Sequence, residues 1–175
     1  LGVQELLLTS QQFPADEKLL LKSAHSSAES LLGILNQVLD LSKIEAGKLT
    51  LNLEPYCLKT LIDDIDYTFS TVASKQKLIL ITTKDPRIAP VLMIDALRLR
   101  QILQNLLSNA IKFTDEGEIF ISVEKQSQTN DQCELLFSVK DSGIGIQKDK
   151  LLLIFEAFTQ EDGSTTRRFG GTGLG

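Results

Sequence analysis

The N-terminal part of the chain follows a heptad pattern of apolar residues. Between residues 15 and 46, apolar positions recur at alternating intervals of three and four, which predicts one long helix. Leu32 and Leu39 flank this seam on one side, which widens the apolar stripe and favours a helical bundle over a two-stranded coiled coil. The central positions of the stripe are Leu21, Ala24, Ala28, Leu31, Leu35 and Val38.

A second apolar segment, residues 1–9, precedes this helix and is separated from it by a polar stretch that ends at Pro14. Proline interrupts helices, so residues 1–9 are interpreted as the end of a first helix, and residues 1–47 as a helical hairpin. His25 lies at the edge of the stripe, and its simplest interpretation is a residue on the flank of the bundle. A role as general base or phosphate acceptor would need a neighbouring carboxylate, and the nearest acid is Glu29, one turn away.

Beyond Gly47 the pattern changes to alternating strands and helices. The order predicts a mixed sheet with helices packed on one face, an α/β sandwich over residues 48–175. The whole chain is therefore assigned to the α+β class, a helical hairpin followed by the sandwich. Asp95 is expected to cap the second helix of the sandwich. The predicted strands are 49–53, 78–82, 91–94, 118–125 and 134–140, and the predicted helices are 58–73 and 96–113.

Composition excludes several classes of protein. Hydrophobic residues make up 42% and charged residues 23% of the 175 positions, as in folded domains. The net charge of −5 argues against a protein that binds along a nucleic-acid backbone. Cys57, Cys133 and one histidine cannot assemble an ordinary zinc site. No apolar run approaches the ~20 residues that span a bilayer, so this segment is expected to be cytoplasmic, without direct membrane contact.

One edge of the predicted helix 96–113 is polar. At about 100° per residue, Arg98, Asn105, Asn109 and Lys112 fall within about 60° of one another. A solvated polar edge is the simplest interpretation, and the alternative is a platform for Mg²⁺ and phosphate, because Mg²⁺ takes few protein oxygens. The opposite, apolar side is expected to pack on the sheet. It comprises Leu99, Ile102, Leu103, Leu106, Leu107, Ala110, Ile111 and Phe113.

A carboxylate and two glycines follow the last predicted strand. Alternate apolar residues from 135 to 139 share one face, and Asp141 continues their alternation, so its carboxylate is expected to point inward. A buried carboxylate needs a partner, which the exocyclic amine of a bound base would supply. Gly143 and Gly145 would let the backbone approach the ring. A turn that simply closes the strand is the alternative.

The C-terminal stretch is rich in serine, threonine and glycine, which is typical of a loop that covers a ligand. Arg167 and Arg168 give this loop cationic reach, and the glycines at 171, 173 and 175 can present backbone N–H groups to phosphate. No Gly-Lys-Ser/Thr follows and no Rossmann unit surrounds these glycines, so the stretch is neither a P-loop nor a dinucleotide fingerprint.

Four of these stretches together resemble the sequence boxes of sensor histidine kinases. Residues 105–114 (NLLSNAIKFT), 141–146 (DSGIGI), 155–158 (FEAF) and 170–175 (GGTGLG) are similar to the N, G1, F and G2 boxes, in that order. The end of the hairpin, residues 40–47 (DLSKIEAG), resembles the dimerisation helices of that family, especially those of hybrid kinases. The resemblance implies a Bergerat-type (GHKL) ATP-binding domain.

The resemblance also implies roles for individual residues. Asn109 would ligate Mg²⁺ and Asn105 would support the metal shell. Lys112 would contact the phosphates of ATP, and Asp141 would accept a hydrogen bond from the adenine amine. The remaining nucleotide-binding residues implied are Gly143, Gly145 and Ile146 at adenine, Phe155 and Phe158 at the base of the lid, Arg167 or Arg168 at the γ-phosphate, and Gly171, Thr172, Gly173 and Leu174 on the phosphate side.

The implied reaction is transfer of the γ-phosphoryl group of ATP to a histidine. Because no first helix with a histidine followed by an acid is present, the acceptor is expected upstream and the chain is expected to be a fragment. The implied partners are a second copy of the chain, bound through the hairpin, and the receiver domain of a response regulator. A membrane anchor elsewhere in the parent protein stays open.

Two other functions compete with this interpretation. An ATP hydrolase of the same superfamily is disfavoured, because Asn105 stands where those enzymes carry a glutamate general base. The alternative that is kept is a non-catalytic module that binds nucleotide and dimerises.

Overall fold

The computed structural model describes residues 14–148 and 150–151, and the chain divides into two compact units between Thr50 and Leu51. The predicted first hairpin helix and the stretch 152–175 lie outside the described residues.

The first unit contains helix α1, which spans Ala15–Glu45 as the heptad pattern predicts. The helix ends just before Gly47, whose φ of 62° is a left-handed conformation that glycine adopts without steric cost. The N–H of Gly47 donates to the carbonyl of Ile44 at 2.9 Å and closes the last turn. The C-terminal half of the predicted apolar stripe is exposed, with Leu31 at 65% and Leu35 at 53%, whereas Leu21 and Ala28 are half-buried. Such a stripe is typical of a surface that packs against a partner helix.

The second unit alternates strands and helices, as predicted. Its elements are β1 (Glu54–Cys57), α2 (Leu58–Lys75), β2 (Ile79–Lys84), β3 (Val91–Ile94), α3 (Ala96–Lys112), β4 (Glu118–Gln128) and β5 (Cys133–Asp141).

The strand predicted at 49–53 is wrong, since those residues form no strand and β1 begins at Glu54. Leu51 and Leu53 are 61% and 54% exposed, so the alternating leucines do not mark a face buried against a sheet. Instead, the backbone N–H of Asn52 donates to the carboxylate of Asp95 at 3.0 Å. Alternation over five residues is too short a signal to separate a strand from an extended connection.

The sheet is mixed, as predicted. β4 lies in the middle, parallel to β2 and antiparallel to β5, while β1 and β3 form a separate antiparallel pair. Ile119, Ile121 and Val123 alternate along β4, so they share one face, and all three are buried in the same cluster as residues of α2 and α3. Both helices therefore cover one face of the sheet. The residues that α2 contributes to this core are Leu58, Leu61, Ile62, Ile65, Phe69 and Ala73.

Candidate functional site

Helix α3 carries the predicted metal-binding and phosphate-binding residues, and its first turn is capped by Asp95. One carboxylate oxygen accepts from the N–H of Arg98 and the other from the N–H of Asn52, each at 3.0 Å. These two donors, Arg98 first, lower the pKa of Asp95. The cap thus joins the start of α3 to the segment before β1. The residues of α3 that are buried in the core are Leu103, Leu107, Ala110 and Ile111.

Part of the predicted apolar side of α3 does not pack on the sheet. Ile102 and Leu106 are 58% and 44% exposed. They lie on the helix between the buried stripe and the polar edge, where neither α2 nor the sheet covers them. The predicted apolar side is therefore broader than the part of α3 that packs against α2 and the sheet.

Asn105, Asn109 and Lys112 lie along one edge of α3, because intervals of four and three residues place them on successive turns. Asn109 is exposed, and Asn105 and Lys112 are half-buried. Among the described residues neither amide side chain has a hydrogen-bond partner, so both are available to a ligand. The Lys112 ammonium lies 4.9 Å from the centroid of the Phe113 ring, within the range of a cation–π contact.

Asp141 is the last residue of β5 and pairs with Ile119, so it lies on the face of the sheet that the helices cover. The predicted burial of its carboxylate is nevertheless wrong, because Asp141 is exposed. It stands at the end of β5, which among the described strands has a neighbour, β4, on one side only. One carboxylate oxygen, Oδ1, accepts from the N–H of Gly143 at 2.9 Å, and the other has no partner among the described residues.

The turn that follows Asp141 packs directly against the end of α3. The N–H of Ile144 donates to the carbonyl oxygen of Phe113 at 3.2 Å. A Cβ on Gly143 would lie 2.3 Å from that same oxygen and 2.9 Å from Asp141 Oδ1, so the contact requires glycine. The structure thus brings the exposed carboxylate beside the helix end that follows the two amides.

Comparison with known proteins identifies the proteins that this chain resembles. The sequence model of the family described as "Histidine kinase-, DNA gyrase B-, and HSP90-like ATPase" matches residues 94–175. The chain is 39% identical over 175 residues to Hybrid signal transduction histidine kinase L of Dictyostelium discoideum, and 42% identical over 175 residues to Sensor histidine kinase GacS of Pseudomonas protegens. Residues 94–175 belong to this ATPase family, and the chain is similar to sensor histidine kinases along its whole length.

A solved structure supports the same assignment. The crystal structure of full-length ShkA in complex with AMPPNP matches this chain with a TM-score of 0.74 and 28% identity, over 99% of this chain and 35% of that chain. The two relatives named above are matched over the whole of this chain but only 10% and 19% of their own length.

The described part of the kinase domain contains the N and G1 boxes, but not the F and G2 boxes. In the G1 box, Gly145 has a φ of 69° and Ile146 is 49% exposed. No described helix is long and apolar enough to cross a membrane. The predicted site residues that lie outside the described residues are Phe155, Phe158, Arg167, Arg168, Gly171, Thr172, Gly173 and Leu174.

A cavity of about 560 Å³ is lined by residues near the C-terminal ends of α2 and α3. Its lining includes Phe69, Ile111 and Lys112, and the buried hydroxyl of Thr114, which has no hydrogen-bond partner among the described residues. None of Asn105, Asn109 and Asp141 lines it. Of the predicted nucleotide-binding residues that are described, Lys112 alone borders this cavity.

Sequence reasoning missed the residues that join the turn to its surroundings. The carbonyl oxygen of Phe113 accepts a hydrogen bond from the N–H of Ile144 in this turn. The hydroxyl of Ser142 accepts a hydrogen bond from the N–H of Glu118 at 3.0 Å. Gly117, which faces Ser142, has a φ of 119°. The glycine between Glu116 and Glu118 was the signal in the sequence, because glycine adopts the positive φ that this turn requires.

Proposed function

We propose that this domain binds ATP together with Mg²⁺, and that the parent protein transfers the γ-phosphoryl group to a histidine upstream of this chain. The observation that carries the proposal is the packing of the turn after Asp141 against Phe113 at the end of α3. This packing places an exposed carboxylate beside the helix whose polar edge carries Asn105, Asn109 and Lys112. Groups suited to a base and groups suited to phosphates therefore occupy adjacent segments.

Asp141 is proposed to select the base. One of its oxygens already accepts from the N–H of Gly143, and the other is open to a ligand among the described residues. Adenine presents an exocyclic amine that donates a hydrogen bond, whereas guanine presents a carbonyl oxygen at the same ring position. A carboxylate attracts the first and repels the second, so the site is expected to prefer ATP over GTP.

The amides on α3 suit a metal ion that keeps most of its water. Among the described residues, no group of three or more His, Cys, Asp or Glu side chains could hold a metal ion. The side-chain oxygen of Asn109 would therefore be a protein ligand of Mg²⁺, with Asn105 in support and the phosphates of ATP completing the shell. Mg²⁺ bound there would neutralise negative charge on the phosphates.

Lys112 is proposed to contact the phosphates. Its ammonium lies 4.9 Å from the centroid of the Phe113 ring. A hydrogen bond between charged groups contributes about 1.5–3 kcal/mol, so a bound triphosphate is expected to attract this flexible cationic side chain.

Two features of the chain argue against two other acceptors of the phosphoryl group, which are water and His25. Asn105 stands one helical turn before Asn109, and an amide cannot accept a proton from water near pH 7, which weighs against an ATP hydrolase. The sole histidine of the chain, His25, has its Nε2 3.4 Å from Glu29 Oε1, and its side chain is 19% exposed. A ring that is largely covered is poorly placed to attack a phosphate, so His25 is proposed to be a structural residue of the helix.

The exposed stripe of α1 supports a homodimer through the helical hairpin, because leucines more than half exposed would be buried against a second copy. The receiver domain of a response regulator is proposed as the next acceptor of the phosphoryl group. A cytoplasmic location is proposed for this segment.

Replacement of Asp141 by asparagine tests the assignment of the base. Asp141→Asn keeps the size of the side chain but removes the charge, so affinity for an ATP analogue with Mg²⁺ is expected to fall about 10- to 100-fold. Isothermal titration calorimetry measures the dissociation constants. Asp131→Asn is the matched control, because Asp131 is an exposed residue in the loop at the other end of β5. Equal affinity of Asp141→Asn and wild type would contradict the proposal.

A phosphotransfer assay tests the reaction itself. Label from γ-labelled ATP is expected to reach a supplied partner that carries the first hairpin helix and its histidine, and His25→Ala is expected to transfer as well as wild type. Binding of ATP without transfer to this partner would favour the non-catalytic module. Loss of transfer in His25→Ala would show that the structural role given to His25 is wrong.

A further inference from the structure

We propose that Ser142 is a positioning residue that sets the preference of this site for adenine over guanine. The inference rests on the proposed role of Asp141, because Ser142 would act through that carboxylate and not through a contact with the nucleotide. It is carried by hydrogen bonds that hold the residue after Asp141 on both its backbone and its side chain.

Ser142 is bonded to the turn that precedes β4 at three points. Its backbone N–H donates to the carbonyl of Glu118 at 3.2 Å, and the N–H of Glu118 donates back to Ser142 Oγ at 3.0 Å. The hydroxyl in turn donates to the carbonyl of Glu116 at 3.5 Å. One small side chain therefore uses both its acceptor and its donor on backbone groups of residues 116–118.

The turn is shaped to receive this hydroxyl. Gly117 has a φ of 119°, and a Cβ built on it would lie 2.3 Å from Ser142 Oγ. The carbonyl of Gly117 also accepts from the N–H of Ile79 at 3.1 Å, which ties the turn to the start of β2. Ser142 is thus anchored to a segment that belongs to the sheet, not to a free loop.

Anchoring of Ser142 determines where the next N–H points. That N–H belongs to Gly143 and donates to Asp141 Oδ1 at 2.9 Å, which holds one carboxylate oxygen and leaves the other in a defined direction. A carboxylate held in one orientation binds the amine of adenine and repels the carbonyl oxygen of guanine. A carboxylate that is free to rotate binds the amine less strongly and can turn away from the carbonyl oxygen. Loss of the Ser142 hydroxyl is therefore expected to weaken base selection.

The test compares affinities for analogues of ATP and GTP, each with Mg²⁺, in wild type, Ser142→Ala and Ser138→Ala. Ser138 lies on the same strand, and among the described residues its hydroxyl has no hydrogen-bond partner. In Ser142→Ala the affinity for the ATP analogue is expected to fall about 2- to 10-fold and that for the GTP analogue by less, so the ratio of the two falls. Ser138→Ala is expected to keep the wild-type ratio.

A second variant tests the same contact from the side of the turn. In Gly117→Ala the added Cβ would lie 2.3 Å from Ser142 Oγ and the φ of 119° is strained for alanine, so the melting temperature is expected to fall. The ATP-to-GTP ratio is expected to fall in the wild-type background but not further in Ser142→Ala. An unchanged ratio in Ser142→Ala, with both affinities or only the melting temperature lowered, would overturn the positioning role. Failure of the base assignment itself has another signature, since Asp141→Asn would then bind ATP as well as wild type.

Discussion

Replacement of Gly143 by alanine tests whether the turn after β5 must touch the end of α3. The added Cβ would lie 2.3 Å from the carbonyl oxygen of Phe113 and 2.9 Å from the carbonyl carbon. Both atoms belong to the main chain at the end of a packed helix, so relief of the clash requires the backbone of the turn or the helix to move.

The size of the effect follows from what that movement breaks. Separation of the turn from the helix would remove the hydrogen bond from Ile144 to Phe113, worth about 1 kcal/mol, and crowding adds about 1–3 kcal/mol. The free energy of unfolding is therefore expected to fall by about 2–4 kcal/mol in Gly143→Ala. Gly145 supplies a matched control in the same turn, because its φ is 69° and none of the described residues places an atom within 4 Å of an added Cβ. Gly145→Ala should cost only the left-handed strain, about 1–2 kcal/mol.

Urea unfolding followed by circular dichroism measures both variants against wild type. Gly143→Ala is expected to be the least stable of the three proteins, and its affinity for ATP is expected to fall as well, because the N–H of Gly143 holds the carboxylate of Asp141. If the two alanine variants have the same free energy of unfolding, the steric contact with Phe113 does not stabilise the domain and the reasoning is refuted.

Two further predictions concern groups away from this turn. Asp95→Ala removes the acceptor for the N–H groups of Arg98 and Asn52, so the free energy of unfolding is expected to fall by about 1–2 kcal/mol in a urea titration, and an unchanged value would contradict the cap. The Arg87 guanidinium lowers the pKa of Asp85, so the folded state gains stability above the ordinary carboxyl pKa of about 4 and loses it as pH falls further. Asp85→Asn should therefore flatten the decline of thermal stability between about pH 5 and 2, and a decline as steep as in wild type would refute this.

Local periodicity predicted the elements whose signal lies within one segment. The heptad spacing predicted α1 from Ala15 to Glu45, and a 3.6-residue period predicted both the bounds of α3 and its polar edge. The strand at 49–53 failed because two exposed leucines, Leu51 and Leu53, imitate the alternation of a half-buried strand. The prediction that Asp141 is buried was wrong for a related reason. Alternation shows which face of the sheet a residue lies on, but not how far it is buried at the end of an edge strand.

The contacts that build the candidate site join segments that are distant in sequence, and no local pattern encodes them. The prediction for Gly143 was that it lets the backbone approach a ligand, and the structure adds that it lets the turn approach the Phe113 carbonyl. Because its N–H also holds Asp141, a change at Gly143 should alter stability and nucleotide affinity together. Asp141→Asn, on an exposed side chain, should alter affinity with little effect on stability. Nucleotide affinity and the free energy of unfolding, measured on both variants, therefore separate a residue that shapes the site from the residue that is proposed to contact the base.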